Sequence, residues 1–184
     1  MWRISGDFWD GWRALDRQFD RISDWSGHGG PGHWPDADMV PLGHLSVHHR
    51  SVGPDRQTRF TKNEQVTFMS LWALAPSPLM LGMNLPDNDP FTEALLENEE
   101  VLAINQDPLG QQAHRLARPG AATGAEVWTK PLAGGGLAVG LFNRADTEMP
   151  VSVQWSELGL SGPRRVRDLW QRKELGTVDH YEVS

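Results

Sequence analysis

From Phe8 to Trp25 the apolar residues Phe8, Trp12, Leu15, Phe19, Ile22 and Trp25 recur every three or four positions. Arg13, Asp16, Arg17, Asp20 and Arg21 fall largely on the other face, and this period predicts an amphipathic helix. Gly27, Gly29, Gly30 and Pro31 predict its end. Trp34 to Leu42 then reads as a short strand, and Gly43 to Phe60 as a long polar loop. Thr61-Lys62-Asn63-Glu64 is a capping box, in which the hydroxyl and the carboxylate each accept from an orphan backbone N–H. The helix it opens runs through Val66, Met69, Trp72 and Ala73 to Pro76, and Leu79 to Met83 follows as a brief apolar strand. Asp89-Pro90 supplies an N-cap and a first-turn proline for a third helix carrying Phe91, Leu95 and Leu96, and Asn98 to Ile104 adds another turn or two. Strand ends alternating with helices predict parallel α/β units, either the last third of an eight-fold barrel or part of an open sheet.

The texture changes after Asp107-Pro108-Leu109-Gly110. Short runs rich in β-branched and aromatic residues follow: Glu126 to Lys130, Leu137 to Phe142, Val151 to Trp155, Val166 to Trp170 and His180 to Val183. Gly134-Gly135-Gly136 between two of them reads as a hairpin turn. The chain is therefore α/β followed by all-β, with an α/β part over 1–108 and an incomplete antiparallel β-sandwich over 109–184. It opens directly on a functional-looking motif and stops in mid-strand at Tyr181-Glu182-Val183-Ser184, and so reads as a piece of a longer protein.

With 39% apolar and 22% charged residues, the composition is that of an ordinary globular protein. A net charge of −7 argues against a nucleic-acid partner. The exception in sign, Arg164-Arg165-Val166-Arg167, alternates into Asp168 and reads as a solvated strand edge. The absence of cysteine excludes disulfides and thiolate metal sites. No apolar run approaches the roughly 20 residues of a membrane span. His44, His48 and His49 follow no ligand spacing such as His-Glu-x-x-His, so no metal is expected. Neither a glycine-rich phosphate loop nor a Gly-x-Ser-x-Gly elbow is present.

Two short motifs flank the first helix: Met1-Trp2-Arg3-Ile4-Ser5-Gly6-Asp7, and Gly32-His33-Trp34-Pro35-Asp36-Ala37-Asp38-Met39. Each joins tryptophan, a turn-forming residue and a carboxylate, which suits a sugar ring with its apolar C–H face and its hydroxyls. If both end strands of one parallel sheet, Asp7 and Asp38 face one mouth. Asp7, freed to turn by Gly6, is either a catalytic acid/base or simply the N-cap of the helix. Arg3 is positioned to fork onto vicinal hydroxyls or a carboxylate, or to form a surface ion pair. Asp36 and Asp38, two apart, share a strand face, one binding hydroxyls and the other bracing Arg3 or a neighbouring loop, unless both merely end a polar strand. Trp34 and Met39 form an apolar wall for the sugar or belong to the core, and Trp2 and Trp9 share that ambiguity.

Together these motifs resemble an α-galactosidase of glycoside hydrolase family 27. The resemblance extends through Ser70-Leu71-Trp72-Ala73-Leu74, Ser77-Pro78-Leu79, Val101-Leu102-Ala103-Ile104-Asn105-Gln106-Asp107-Pro108-Leu109-Gly110, Glu126-Val127-Trp128 and Ala138-Val139-Gly140-Leu141-Phe142-Asn143-Arg144. It implies the C-terminal part of a (β/α)8 TIM barrel followed by an antiparallel β-domain, and retaining hydrolysis of terminal α-galactosides without a cofactor. Asp7 resembles the general acid/base at the end of the sixth strand and Arg3 a sugar-contacting arginine. Asp38 and Met39 resemble substrate-binding residues of the seventh strand, with Asp36, Trp2 and Trp34 in support. The partner implied is an α-galactoside or oligosaccharide; no oligomeric state is implied, and family members are often secreted, periplasmic or lysosomal.

Two departures stand out. The family nucleophile, an aspartate in a Lys-x-Asp-type motif of the fourth strand, has no counterpart here, so the chain alone is expected to be inactive. The family's Asn-Asp-Pro-Asp-Met appears as Pro35-Asp36-Ala37-Asp38-Met39, which leaves α-N-acetylgalactosaminidase, β-L-arabinopyranosidase and isomalto-dextranase activities open. A non-catalytic carbohydrate-binding or structural module is the alternative from another class.

Overall fold

The computed structural model describes residues 1–47 and 53–183. Strand β1 (Trp2–Arg3) pairs in parallel with β2 (Pro35–Asp36), and helix α1 (Trp12–Asp24) connects them. Val40 bridges in parallel to Leu81, the Val40 N–H donating to the Met80 carbonyl at 2.8 Å. Three parallel strand ends thus lie side by side, and α2 (Lys62–Leu74) fills the second crossover. The strands expected over 34–42 and 79–83 shrink to these few residues.

Helix α1 begins later than its apolar period predicts. Gly11, extended and without a side-chain cap, is its N-cap, and Phe8 lies in the irregular segment before it. Phe8 is nonetheless buried, with its ring 5.7 Å from Phe68 and 5.1 Å from Trp72. A buried aromatic extends the helical period without being helical. Helix α2 starts as its capping box predicts, with Thr61 as N-cap and Glu64 reciprocating. Asp89 caps α3 (Pro90–Leu96), and Asn98 caps α4 (Glu99–Asn105). The segment expected to be a polar loop contains a two-residue antiparallel pairing of β3 (His44–Leu45) with β4 (Arg56–Gln57).

The β-rich part holds a three-stranded antiparallel sheet of β5 (His114–Arg115), β6 (Ala125–Pro131) and β7 (Leu137–Asn143). The turn after β6 closes with the Leu132 N–H on the Gly136 carbonyl (3.0 Å), and Gly135 takes a φ of +77° there. Strand β8 (Val151–Gln154) pairs with β11 (His180–Val183), and β9 (Arg164–Asp168) with β10 (Lys173–Val178). The arginine-rich run is β9, mostly exposed, and the strand ends at Asp168 rather than at Trp170. The periodicity missed β5 and β10.

The β6–β7 hairpin serves two cores by strand alternation. Val127 packs with Val151, Val153 and Trp155 inside the sandwich. Trp128, Ala138 and Phe142 belong instead to the core of the helices, where Phe142 meets Phe19 edge-on at 5.0 Å. Gly140 permits this approach, because a Cβ there would sit 2.6 Å from Leu74 Cδ1. Around the seam Arg144 pairs with Asp16 (2.8 Å) and Glu126 (2.5 Å), its guanidinium 4.9 Å from the Phe19 ring centroid. One continuous core therefore joins the two parts. Among the described residues, no helix is long and apolar enough to cross a membrane.

Candidate active site

The ends of β1 and β2 bring three of the expected residues together. Arg3 Nη2 lies 2.7 Å from Asp38 Oδ2 and 3.7 Å from Asp7 Oδ1. Because both carboxylates meet one guanidinium nitrogen, they stand on the same side of the sheet end. The Asp7 side chain is 87% exposed, whereas that of Asp38 is 13% exposed and also accepts from the Phe8 N–H at 2.6 Å. Asp7 does not cap α1, since that role falls to Gly11 four residues on. Gly6 avoids the left-handed region, so the turn into Asp7 does not require a glycine there.

Asp36 and Asp38 do not share a strand face. Pairing stops at Asp36, and Asp38 adopts a φ of +83°, a left-handed conformation that aspartate tolerates better than most residues. Asp36 is buried and its Oδ1 accepts from the Asp38 N–H (2.9 Å), so it braces the turn that carries Asp38 and not Arg3. Met39, half-buried, lies over the next strand end, where a Cβ on Gly82 would approach its sulfur to 2.6 Å. Trp34 turns to the domain seam: a Cβ on Gly110 would meet its Cη2 at 3.0 Å. Trp2 joins β1 to β2 through its N–H on the Trp34 carbonyl (3.2 Å), and its ring packs 5.9 Å from Trp25. Both tryptophans thus support the strand ends.

Two groups escaped the sequence. Asp10 is buried and chelates Arg56, which donates from both terminal nitrogens (Nη2 to Oδ1, 2.7 Å), and it also accepts the Arg59 N–H at 2.7 Å. It ties the β4 segment to the stretch that carries Asp7. Its only sequence signal was a carboxylate one residue before a helix-capping glycine. His44, weighed in the sequence only as a metal ligand, is the second. Its Nε2 meets Asp55 and its Nδ1 meets Asp87 at 3.1 Å. Two carboxylate partners favour the imidazolium, and hydrogen bonding to Asp55 and then Asp87 raises its pKa above the ordinary value. His44 is thereby committed to a carboxylate clamp, while His48 and His49 lie outside the described residues. Among the described residues, no group of three or more His, Asp or Glu side chains is arranged so that it could hold a metal ion.

An exposed carboxylate, an arginine and a half-enclosed second carboxylate at parallel strand ends can transfer a proton and bind vicinal hydroxyls. Residues 1–107 match the family described as Alpha galactosidase A, and residues 122–184 the Alpha galactosidase C-terminal beta sandwich domain. Alpha-galactosidase 2 of Arabidopsis thaliana is 35% identical over 96% of this chain and 41% of its own length. Human alpha-galactosidase A is 34% identical over 82% of this chain and 32% of its own. The crystal structure of a GH27 β-L-arabinopyranosidase from Geobacillus stearothermophilus superposes with a TM-score of 0.91 at 44% identity, over 100% of this chain and 41% of that one. The chain spans between about a quarter and two fifths of the length of the curated relatives it matches.

Proposed function

The chain belongs to the Alpha galactosidase A family, and from that premise we propose that it forms the acid/base side of a retaining glycosidase for terminal α-linked galactose. The observation that carries the proposal is the single Arg3 nitrogen shared by Asp7 and Asp38. Asp7, the more exposed carboxylate, protonates the departing glycosidic oxygen and then deprotonates the incoming water. Arg3 and Asp38 hold sugar hydroxyls, and Met39 offers an apolar flank. The nucleophile comes from barrel strands other than those present here, so the 184 residues alone lack the covalent step. The non-catalytic alternative gains no support from the β-domain, whose contact with the helices is a packed hydrophobic seam.

The 44% identity to the β-L-arabinopyranosidase favours a second sugar. β-L-Arabinopyranose has the ring stereochemistry of α-D-galactopyranose without the hydroxymethyl group, so one site can serve either. The test compares the complete enzyme on p-nitrophenyl α-D-galactopyranoside and β-L-arabinopyranoside, with NMR of the first-formed anomer. Retention and a higher kcat/KM for the galactoside are expected, with neither substrate cleaved by the 184 residues alone. An arabinoside preference of about tenfold or more favours the second sugar. Inversion overturns the scheme.

Gly82→Ala is a milder probe of the apolar flank. A new Cβ at 2.6 Å from the Met39 sulfur displaces a flexible side chain rather than backbone. We expect KM to rise several-fold, with unfolding free energy within about 1 kcal/mol of the parent. An unchanged KM would remove Met39 from the site.

A further inference from the structure

The ladder between β1 and β2 ends with the Ile4 N–H on the Asp36 carbonyl (3.0 Å). Beyond it, side chains take over the backbone of the next two residues. The Ala37 N–H donates to Ser77 Oγ (3.0 Å), and the Ala37 carbonyl accepts from Gln18 Nε2 (2.8 Å). The Asp38 N–H donates to Asp36 Oδ1 (2.9 Å), and the Asp38 carbonyl accepts from Trp72 Nε1 (3.0 Å). Four side chains from α1, β2, α2 and the turn after α2 thus satisfy every backbone polar group of Ala37 and Asp38. Gln18, Ala37, Trp72 and Ser77 are all fully buried, so water cannot readily replace a lost bond.

This clamp surrounds the one strained residue of the mouth. A left-handed aspartate persists where its surroundings over-determine it, and the turn aims the Asp38 carboxylate at Arg3. Ser77 is itself fixed, since Asn105 Nδ2 donates to the carbonyls of Trp72 (3.1 Å) and Ser77 (3.0 Å). Hydrogen bonds therefore run from the end of α4 to the Asp38 turn.

We infer that Gln18 and Ser77 are positioning residues that set the Asp38 carboxylate for sugar binding by gripping the Ala37 peptide groups from two sides. The inference rests on the assignment of Asp38 to the sugar site and extends it to buried residues that never touch the sugar. It is tested in the complete enzyme by measuring KM and kcat, on the better of the two aryl glycosides, for Ser77→Ala, Gln18→Met, Asp38→Ala and the doubles S77A/D38A and Q18M/D38A. Each positioning variant is expected to lower kcat/KM about tenfold, mainly through KM. In the D38A background the same change is expected to add less than about twofold. Undiminished effects in that background overturn the inference, because they then act on the fold and not through Asp38. A D38A enzyme with parental kcat/KM overturns the sugar-site assignment itself, and the inference with it. If S77A does not fold, the near-isosteric Gln18→Met cycle decides by the same criterion.

Discussion

Replacing Asp7 by Asn in the complete enzyme is expected to split substrates by their leaving groups. Oligosaccharides, whose departing alkoxide needs a proton, should lose on the order of 10²–10⁴ in kcat/KM. A dinitrophenyl glycoside departs without protonation, so its glycosylation step should be nearly spared. Its kcat should still fall, because the second step lacks a base for water, and turnover should then begin with a burst. Azide, which attacks without a base, should restore kcat and yield the glycosyl azide of retained configuration. The structure makes the substitution a clean one. The Asp7 side chain is 87% exposed and caps no helix, and its contact with Arg3 is 3.7 Å long, so stability should barely change. Equal losses on both substrates, or a burst-free dinitrophenyl reaction untouched by azide, would remove Asp7 from the acid/base role.

How far the site could be read from the residues depended on whether its determinants were local. The Thr61–Glu64 capping box and the Asp89-Pro90 pair act within a single turn, and both helices start where those residues indicate. The juxtaposition of Asp7, Arg3 and Asp38 was also legible, because parallel α/β order places consecutive strand ends in one mouth. The Asp38 turn was not. Asp36-Ala37-Asp38 alternates like a strand, and the bonds that twist it out of the strand come from Gln18, Trp72 and Ser77, distant in sequence. Phe8 misled for a related reason: burial against Phe68 and Trp72 keeps it apolar in the helical period, although the backbone there is irregular. Asp10 was invisible as a site residue because its partner, Arg56, lies in a segment that reads as plain polar loop.

Lys130 is a buried charged group whose truncation should cost several kcal/mol of stability. It is fully buried in β6, and its Nζ donates to the carbonyls of Ala73 (3.3 Å) and Ile104, in the last turns of α2 and α4. A cation suits two helix C-termini, yet desolvation dominates and lowers its pKa from 10.5 to about 8, with Asp107 opposing the shift. Lys130→Ala removes a buried stem and leaves two carbonyls without a donor. The expected loss is about 3–5 kcal/mol at pH 7, the usual cost of a large core truncation. Lys130→Met keeps the packing and removes the buried charge along with the bonds. These terms oppose each other at a few kcal/mol each, so its loss should be much smaller. pH separates the two contributions. Below pH 8 both the folded and unfolded states hold the proton, and the folded protein bears the full desolvation cost. Between about pH 8 and 10.5 the unfolded chain binds more protons than the folded one, so parental stability should rise, by at most on the order of 3 kcal/mol. Neither variant carries the group, so the difference between the parent and Lys130→Met in urea denaturation should widen across that window. A difference that stays flat from pH 7 to 10.5 would mean that the lysine keeps its proton in the folded state. The two helix-terminal carbonyls would then stabilise the charge more strongly than burial destabilises it.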